Sequence, residues 1–210
     1  MRPDEALARW NTRFQRNDYL FGTAPNRFLA SQTGHLQSRQ HALAIADGEG
    51  RNGVFLAKQG LKVLSVDFSP VALAKARRLA AREGVELETE CADLATWVWE
   101  RERFDVIAGI FIQFADASLR ARLFQSLRDA LKPGGVILIQ GYRPEQIGYG
   151  TGGPKELDHL YTAAMLRTAF AGFDILHLAE HDEVIHEGTG HDGMSALVDL
   201  VACKPGISSR

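Results

Sequence analysis

Alternation is the feature that most limits how this chain can fold. Short runs rich in β-formers, bounded by turn residues, take turns with stretches of helical period, the pattern of βαβ units and a parallel sheet. The first run, Ala42 to Ala46, stops at Asp47-Gly48-Glu49-Gly50. A helix from about Asn52 to Gln59 follows, with Gly60 placed to end it in a left-handed conformation. The second strand, Leu61 to Val66, stops at Asp67. Ser69 then caps a helix whose first position is Pro70, and Leu73, Ala76 and Ala80 recur on it at helical spacing until Gly84. Val85 to Glu90 and Phe104 to Ile110 read as the third and fourth strands, the latter apolar enough to be buried on both faces. After a helix from about Asp116 to Leu131, Lys132-Pro133-Gly134-Gly135 makes a tight turn into a fifth strand, Val136 to Gln140.

Beyond this point the pattern changes. A glycine-rich loop, Gly148 to Gly153, precedes a helix from about Thr162 to Phe170. Two strands, Phe173 to Asp182 and Ser195 to Lys204, are then joined by a polar loop with no room for a crossover helix, so they are expected to pair antiparallel. The expected fold is therefore α/β, a single Rossmann-like doubly wound sheet, mostly parallel, with an antiparallel C-terminal hairpin.

Gly48 to Gly53 spells Gly-x-Gly-x-x-Gly between a strand and a helix, the context in which glycines let a backbone approach a ligand and a helix N-terminus offers free N–H groups. Asp67 ends the next strand about twenty residues on, where an acid accepts hydrogen bonds from ribose hydroxyls. Asp93, after the third strand, is placed to accept from an adenine amino group, or else to cap a short helix from Leu94 to Trp99. A glycine loop with a ribose acid suits NAD or S-adenosylmethionine. Little chain remains for the substrate domain of a dehydrogenase, some forty residues precede the first strand, and the terminal hairpin is unusual for a dinucleotide fold. S-adenosylmethionine is the expected cofactor.

Composition narrows the partners. Of 210 residues, 45% are hydrophobic and 24% charged, with a net charge of −2, so no basic nucleic-acid footprint exists and no nucleic-acid partner is expected. No apolar run reaches the roughly 18 residues of a membrane span. Cys91 and Cys203 form no CxxC pair and the first residues lack the layout of a secretory signal, so a cytoplasmic protein is expected. Its expected state is a monomer or homodimer. His177, His181, His186 and His191 crowd the terminal hairpin beside Asp182, Glu187 and Asp192. Three of them fall five residues apart across an expected loop, which gives no regular facing geometry; no metal is expected. Glu187 and His191 read as a loop near the acceptor or a solvated turn. Trp97 and Trp99 read as packing.

The run ALAIADGEGRNGVFLA (Ala42 to Ala57), VDFSP at Val66 to Pro70 and LKPGG at Leu131 to Gly135 resemble the class I S-adenosylmethionine-dependent methyltransferases. More narrowly, the chain resembles the tellurite-resistance (TehB-like) and thiopurine methyltransferase-like group. That likeness also rests on Trp10, Tyr19-Leu20-Phe21-Gly22, Pro25-Asn26 and Phe28-Leu29, on GYRPEQIGYGTGGP from Gly141, and on the ending Val201-Ala202-Cys203-Lys204.

The resemblance implies the strand order 3-2-1-4-5-7-6. It also implies one domain over 1–210, made of an N-terminal helical lid segment (1–40), a cofactor-binding core (41–142) and an acceptor-side loop, helix and terminal hairpin (143–210). It places Gly48, Gly50 and Asn52 against the methyl donor, Asp67 and Phe68 at its ribose and adenine, Asp93 and Leu94 at the adenine edge, and Gly109 and Ile110 near the sulfonium. The chain departs from the common pattern at Ala44, Ala46 and Asp47. Ala46 replaces a usual glycine, so its turn is expected not to demand a positive φ. Asp47 is expected to face the donor's ammonium.

The expected activity is in-line transfer of a methyl group to a small-molecule acceptor, implied by the resemblance to be a sulfur, selenium or tellurium compound. The alternatives are a non-catalytic donor-binding module and an NAD-dependent oxidoreductase. An acceptor that is already anionic needs no general base, whereas an alcohol or amine calls for one. Candidate acceptor-side residues are Tyr19 and Phe21 as a lid, Gln113 after the fourth strand, Tyr142, Arg143 and Tyr149 after the fifth, and His191. Arg143 would suit an oxyanion.

Overall fold

The first strand shows how the sheet is covered. In β1 (His41–Ile45), Leu43 and Ile45 face one side and Ala42 and Ala44 the other, and all four are buried. The small alanines let α2 (Arg27–Ser31) and α3 (Arg51–Lys58) settle close with Phe28, Leu29 and Leu56. The larger residues meet the side packed by α5 (Ala117–Ala130) and α7 (Ala163–Ala169), through Leu123, Phe124, Leu127, Leu166 and Phe170. A strand buried on both faces is what a doubly wound sheet requires.

The computed structural model describes residues 2–206. β1 is joined by β2 (Lys62–Asp67), β3 (Glu88–Cys91), β4 (Phe104–Ile110), β5 (Leu131–Tyr142), β6 (Asp174–Glu187) and β7 (His191–Cys203) in one sheet of order β3-β2-β1-β4-β5-β7-β6. The first five are parallel, and β7 runs antiparallel to both β5 and β6. The expected order and hairpin are both present. α4 (Pro70–Glu83) packs beside β2 and β3, α1 (Pro3–Phe14) packs on α4, and a single turn, α6 (Gln146–Tyr149), overlaps the start of the glycine-rich loop. Among the described residues no helix is long and apolar enough to cross a membrane.

Several local expectations differ from the structure. The hairpin is longer than the charge pattern indicated: β6 and β7 stay paired to Glu187 and His191, leaving a turn at 188–190 in place of a long polar loop. Polar side chains are tolerated there because β6 is an edge strand with much of its length in contact with solvent. The short helix expected from Leu94 to Trp99 is absent: Leu94 to Thr96 form a turn, with the amides of Thr96 and Trp97 both bonded to the Asp93 carbonyl, and the chain then runs on without regular structure. The LKPGG turn interrupts the pairing of β4 with β5, whose register jumps from Phe104–Leu131 to Val106–Val136. Ala46 does take a positive φ, +46°, contrary to expectation. An L-residue there costs about 1–2 kcal/mol.

Gly50 is fixed by two independent demands. Its φ is +86°, and a Cβ at that position would stand 2.5 Å from the Cβ of Ala76 on α4. The Gly50→Ala variant is therefore expected to lose about 3 kcal/mol or more of stability, combining left-handed strain with overpacking. Urea unfolding checks this; a loss under about 1 kcal/mol would show that α4 is free to yield.

Candidate functional site

The chain reverses its direction of travel across the sheet between β1 and β4, and ligands of such sheets bind outside the carboxyl ends of the strands at that reversal. Both strands leave it through strained residues, Ala46 at φ +46° and Phe111 at φ +56°. Left-handed non-glycine residues of this kind concentrate at functional sites.

The loop after β1 is built around two buried acids. Gly48, at φ +58°, donates its N–H to one Asp67 oxygen at 2.9 Å, and Ser69 donates to the other at 2.8 Å. Asp67 thus ties the loop to the end of β2 and still has lone pairs to accept from a ligand. Asp47 turns inward. It accepts from the Gly53 N–H at 3.2 Å and from the Ser65 hydroxyl at 2.8 Å, so it braces the loop from beneath and does not face the crevice as expected. Burial pushes its carboxyl up to about 7, against the hydrogen bonds of Ser65 and Gly53. Burial likewise raises Asp67 to about 6.

Two buried ion pairs flank this loop. Glu49 pairs with Lys75 of α4, whose ammonium also donates to the carbonyls of Phe14, Arg16 and Asp18. Glu49 in turn accepts from the Leu20 N–H at 2.7 Å. The pair therefore anchors the whole segment between α1 and Leu20. Arg51 pairs with Glu187 at the tip of β6 at 2.6 Å. Asn26 donates to the other Glu187 oxygen at 3.0 Å and to Gln140 at 2.6 Å. Gln140 continues to Asp199, and Asp199 to His181.

These anchors draw the N-terminal segment and the hairpin tip over the crevice. The Phe14 ring stands 3.5 Å from where a Cβ on Gly48 would lie, Asn11 accepts the Ser69 hydroxyl at 2.6 Å, and Gly190 donates to the Leu20 carbonyl at 3.0 Å. Beneath the tip, His191 packs against Phe21 (4.5 Å between centroids), Phe111 (4.4 Å) and Tyr142 (5.6 Å). Tyr142 Oη and His191 Nδ1 are buried there without a hydrogen-bond partner among the described residues.

The other expected site residues take varied places. Asn52, at the start of α3, accepts from the Asn26 N–H at 3.0 Å and so serves the lid segment. Phe68 is half-buried directly after Asp67, Asp93 is exposed and bonded to the Ala95 N–H, and Leu94 is buried in the main core. Gly109 and Ile110 end β4 beside the crevice, with Ile112 packed where a Gly109 side chain would be.

Of the acceptor-side candidates, Phe21, Tyr142 and His191 come together; four others do not. Tyr19 donates to the Lys75 carbonyl at 3.1 Å and lies against α4, not over the crevice. Gln113 is consumed by backbone groups of Tyr142 and His159. Arg143 is paired with Asp182 at 2.5 Å and Glu145 at 3.2 Å, and Tyr149 donates to Asp182 at 2.9 Å, both on the β6 side. His186 pairs with Asp192 and His177 stacks on Phe28, so the hairpin histidines are dispersed among separate partners. Sequence reading passes over Glu49, Arg51, Lys75 and Asn26. Lys75 had a signal: it lies on the apolar stripe of α4 beside Ala72, Leu73 and Ala76.

A seven-stranded sheet of this order, with a glycine loop after β1 and an acid ending β2, defines the class I S-adenosylmethionine-dependent methyltransferase fold. Residues 42–135 match the model of a methyltransferase domain family (Methyltransf_25). Solved structures share the fold. The structure described under "Conversion of a Disulfide Bond into a Thioacetal Group during Echinomycin Biosynthesis" has a TM-score of 0.76 at 21% identity, over 98% of this chain and 92% of that one. NodS, an N-methyltransferase from Bradyrhizobium japonicum WM9 solved with S-adenosyl-L-homocysteine, has a TM-score of 0.71 at 14% identity, over 95% and 98%. TehB from Haemophilus influenzae has a TM-score of 0.69 at 17% identity, over 84% and 61%. A curated relative, Hemagglutinin 1 of Eikenella corrodens, is 25% identical over 166 residues, 78% of this chain; the chain spans about half that relative's length, 54%.

The raised carboxyl of Asp47 has a measurable consequence. A group whose folded pKa is raised stabilises the fold below its unfolded value, about 3.9, and that contribution is lost as pH rises through the folded value. Asp47→Asn removes the buried charge, so the variant's stability relative to the parent is expected to climb by about 1.4 kcal/mol per pH unit between roughly pH 4 and 7. Parallel stability curves over that window would refute the assignment.

Proposed function

We propose that this chain binds S-adenosylmethionine across the carboxyl ends of β1, β2 and β4 and transfers its methyl group to a small molecule seated beneath the hairpin tip. The observation that carries the reading is the pairing of a glycine loop and terminal acid at the strand-order reversal with two unpartnered buried polar atoms, Tyr142 Oη and His191 Nδ1, on the adjoining wall. The residues fit the donor. Gly48 and Gly50 keep the loop bare of side chains, Asp67 is oriented by two backbone N–H groups to receive ribose hydroxyls, and Phe68, Asp93 and Leu94 would line the adenine side. Bound S-adenosylmethionine supplies a methyl group on a sulfonium, an electrophile needing no further activation.

What remains for the chain is to orient the acceptor and exclude water. Phe14, Phe21 and the turn at 188–190 form the cover, which must lift for the donor to enter because the loop beneath them is buried. Residues 1–40 then act as the lid, 41–142 as the donor-binding core and 143–210 as the acceptor side. The sulfur, selenium or tellurium acceptor implied by resemblance is narrowed by charge. Lys75, Arg51 and Arg143 each already face a carboxylate, so a tellurium oxyanion would meet no unpaired cation among these three. The free thiols of Cys91 and Cys203 accord with a cytoplasmic setting.

Calorimetric titration with S-adenosyl-L-homocysteine tests the donor site. The parent is expected to bind, and Asp67→Asn to weaken binding by about 1.5–3 kcal/mol, roughly ten- to hundredfold. Binding without methyl transfer to any acceptor would assign a non-catalytic donor-binding module. Binding of NADH with none of S-adenosyl-L-homocysteine would assign an oxidoreductase.

A further inference from the structure

His191 is built into its place more firmly than packing alone explains. It is 8% exposed and walled by Phe21, Phe111 and Tyr142, yet among the described residues its Nδ1 finds no hydrogen-bond partner, with Glu187 Oε2 standing 3.6 Å away. Glu187 is itself held from two sides, by Arg51 at 2.6 Å and Asn26 at 3.0 Å. A carboxylate fixed behind one imidazole nitrogen favours the tautomer protonated on that nitrogen and leaves the other as a base, the logic by which an acid orients a histidine toward a reacting hydroxyl. Arg51 belongs to the glycine loop, so the same loop that receives the donor fixes the carboxylate behind this histidine.

We propose that Glu187 and His191 form a positioned general base that takes the proton of a phenolic hydroxyl as that oxygen accepts the methyl group. The inference rests on the donor-binding reading above. In the step, the oxygen lone pair forms the new O–C bond while the C–S bond breaks and its electron pair returns to sulfur. The O–H proton passes to His191 Nε2, and the imidazolium so formed is balanced by Glu187 until it releases the proton to water. A phenol suits the site better than an aliphatic alcohol. Its acidity, about 10 as in tyrosine, lies within reach of an imidazole, and the aromatic side chains of Phe21, Phe111 and Tyr142 that surround His191 favour an aromatic acceptor. A preformed thiolate or selenide would need no base.

The electrostatics agree. Burial lowers the His191 imidazole from its ordinary value, with Arg51 and Arg13 adding to the effect and Glu187 opposing it, so the ring is neutral at pH 7. Burial works to raise Glu187, but His191 and Arg51 outweigh it and hold the carboxyl at about 2. Tyr142, the remaining titratable group facing the ring, is pushed up by burial and stays protonated.

The experiment compares the parent with His191→Gln on a set of phenols of graded acidity and on thiophenol, alongside calorimetric titration of both proteins with S-adenosyl-L-homocysteine. The variant is expected to bind S-adenosyl-L-homocysteine like the parent but to methylate the least acidic phenols about 10²–10⁴-fold more slowly. That deficit should shrink as the phenol becomes more acidic and vanish for thiophenol. Nitrogen-15 NMR of the histidine-labelled parent without donor should show His191 protonated on Nδ1 and free on Nε2 at pH 7. Equal rates in parent and variant on neutral phenols, methylation of thiols alone or of nothing while S-adenosyl-L-homocysteine binds, or an Nε2-protonated ring would each overturn the proposal. Failure of the parent to bind S-adenosyl-L-homocysteine would overturn the donor reading itself, and this one with it.

Discussion

Removing a charge from water costs several kcal/mol per ion, and only a close partner with further hydrogen bonds offsets it. The loop after the first strand accepts that cost twice within three residues, at Glu49 with Lys75 and at Arg51 with Glu187. Neither pair is needed to close the sheet, whose core is aliphatic and aromatic. What the pairs supply is placement. Glu49 and Lys75 collect the Leu20 amide and three carbonyls between Phe14 and Asp18, while Arg51 and Asn26 capture the hairpin tip through Glu187. Breaking either pair by removing one partner would strand a buried charge, so the cover and the loop stand or fall together.

The same economy shapes the acids. Asp47 and Asp67 follow or end the adjacent strands β1 and β2, yet they do opposite work. Asp47 faces inward and holds the helix start through Gly53, whereas Asp67 lies where the loop meets the crevice and holds Gly48. Both are raised by burial, Asp47 to about 7 and Asp67 to about 6, so near pH 7 the crevice-side acid is the more fully ionised of the two. Positive φ at Ala46 and Phe111 marks the same edge as the place where local comfort is traded for geometry.

The sheet was legible because each βα unit carries its own local signals: Ser69 and Pro70 open α4, Asp116 opens α5, and the strands alternate or run apolar as their burial requires. The glycine loop and Asp67 were legible for the same reason, being fixed by short-range spacing. The acceptor side was not, because its side chains are decided by distant partners. Tyr19 is claimed by a carbonyl of α4, Gln113 by the backbone of β5, and Arg143 by Asp182 across the hairpin. No spacing rule reports those unions. The hairpin's extent was obscured because Glu183, His186 and Glu187 read as a polar loop, although an edge strand accommodates such residues.

The contact between Leu20 and Gly190 has a consequence for biogenesis. One wall of the crevice is made early in translation and the other only when the hairpin emerges, so the site has no local precursor. A ribosome-bound chain that has completed β5 possesses the glycine loop and Asp67 but neither Glu187 nor His191, so Arg51 has yet to meet its carboxylate. Such pairings between distant parts of the sequence are slow to form. The intermediate would carry an exposed aromatic cluster around Trp10, Phe14 and Phe21, the feature by which chaperones recognise unfinished chains.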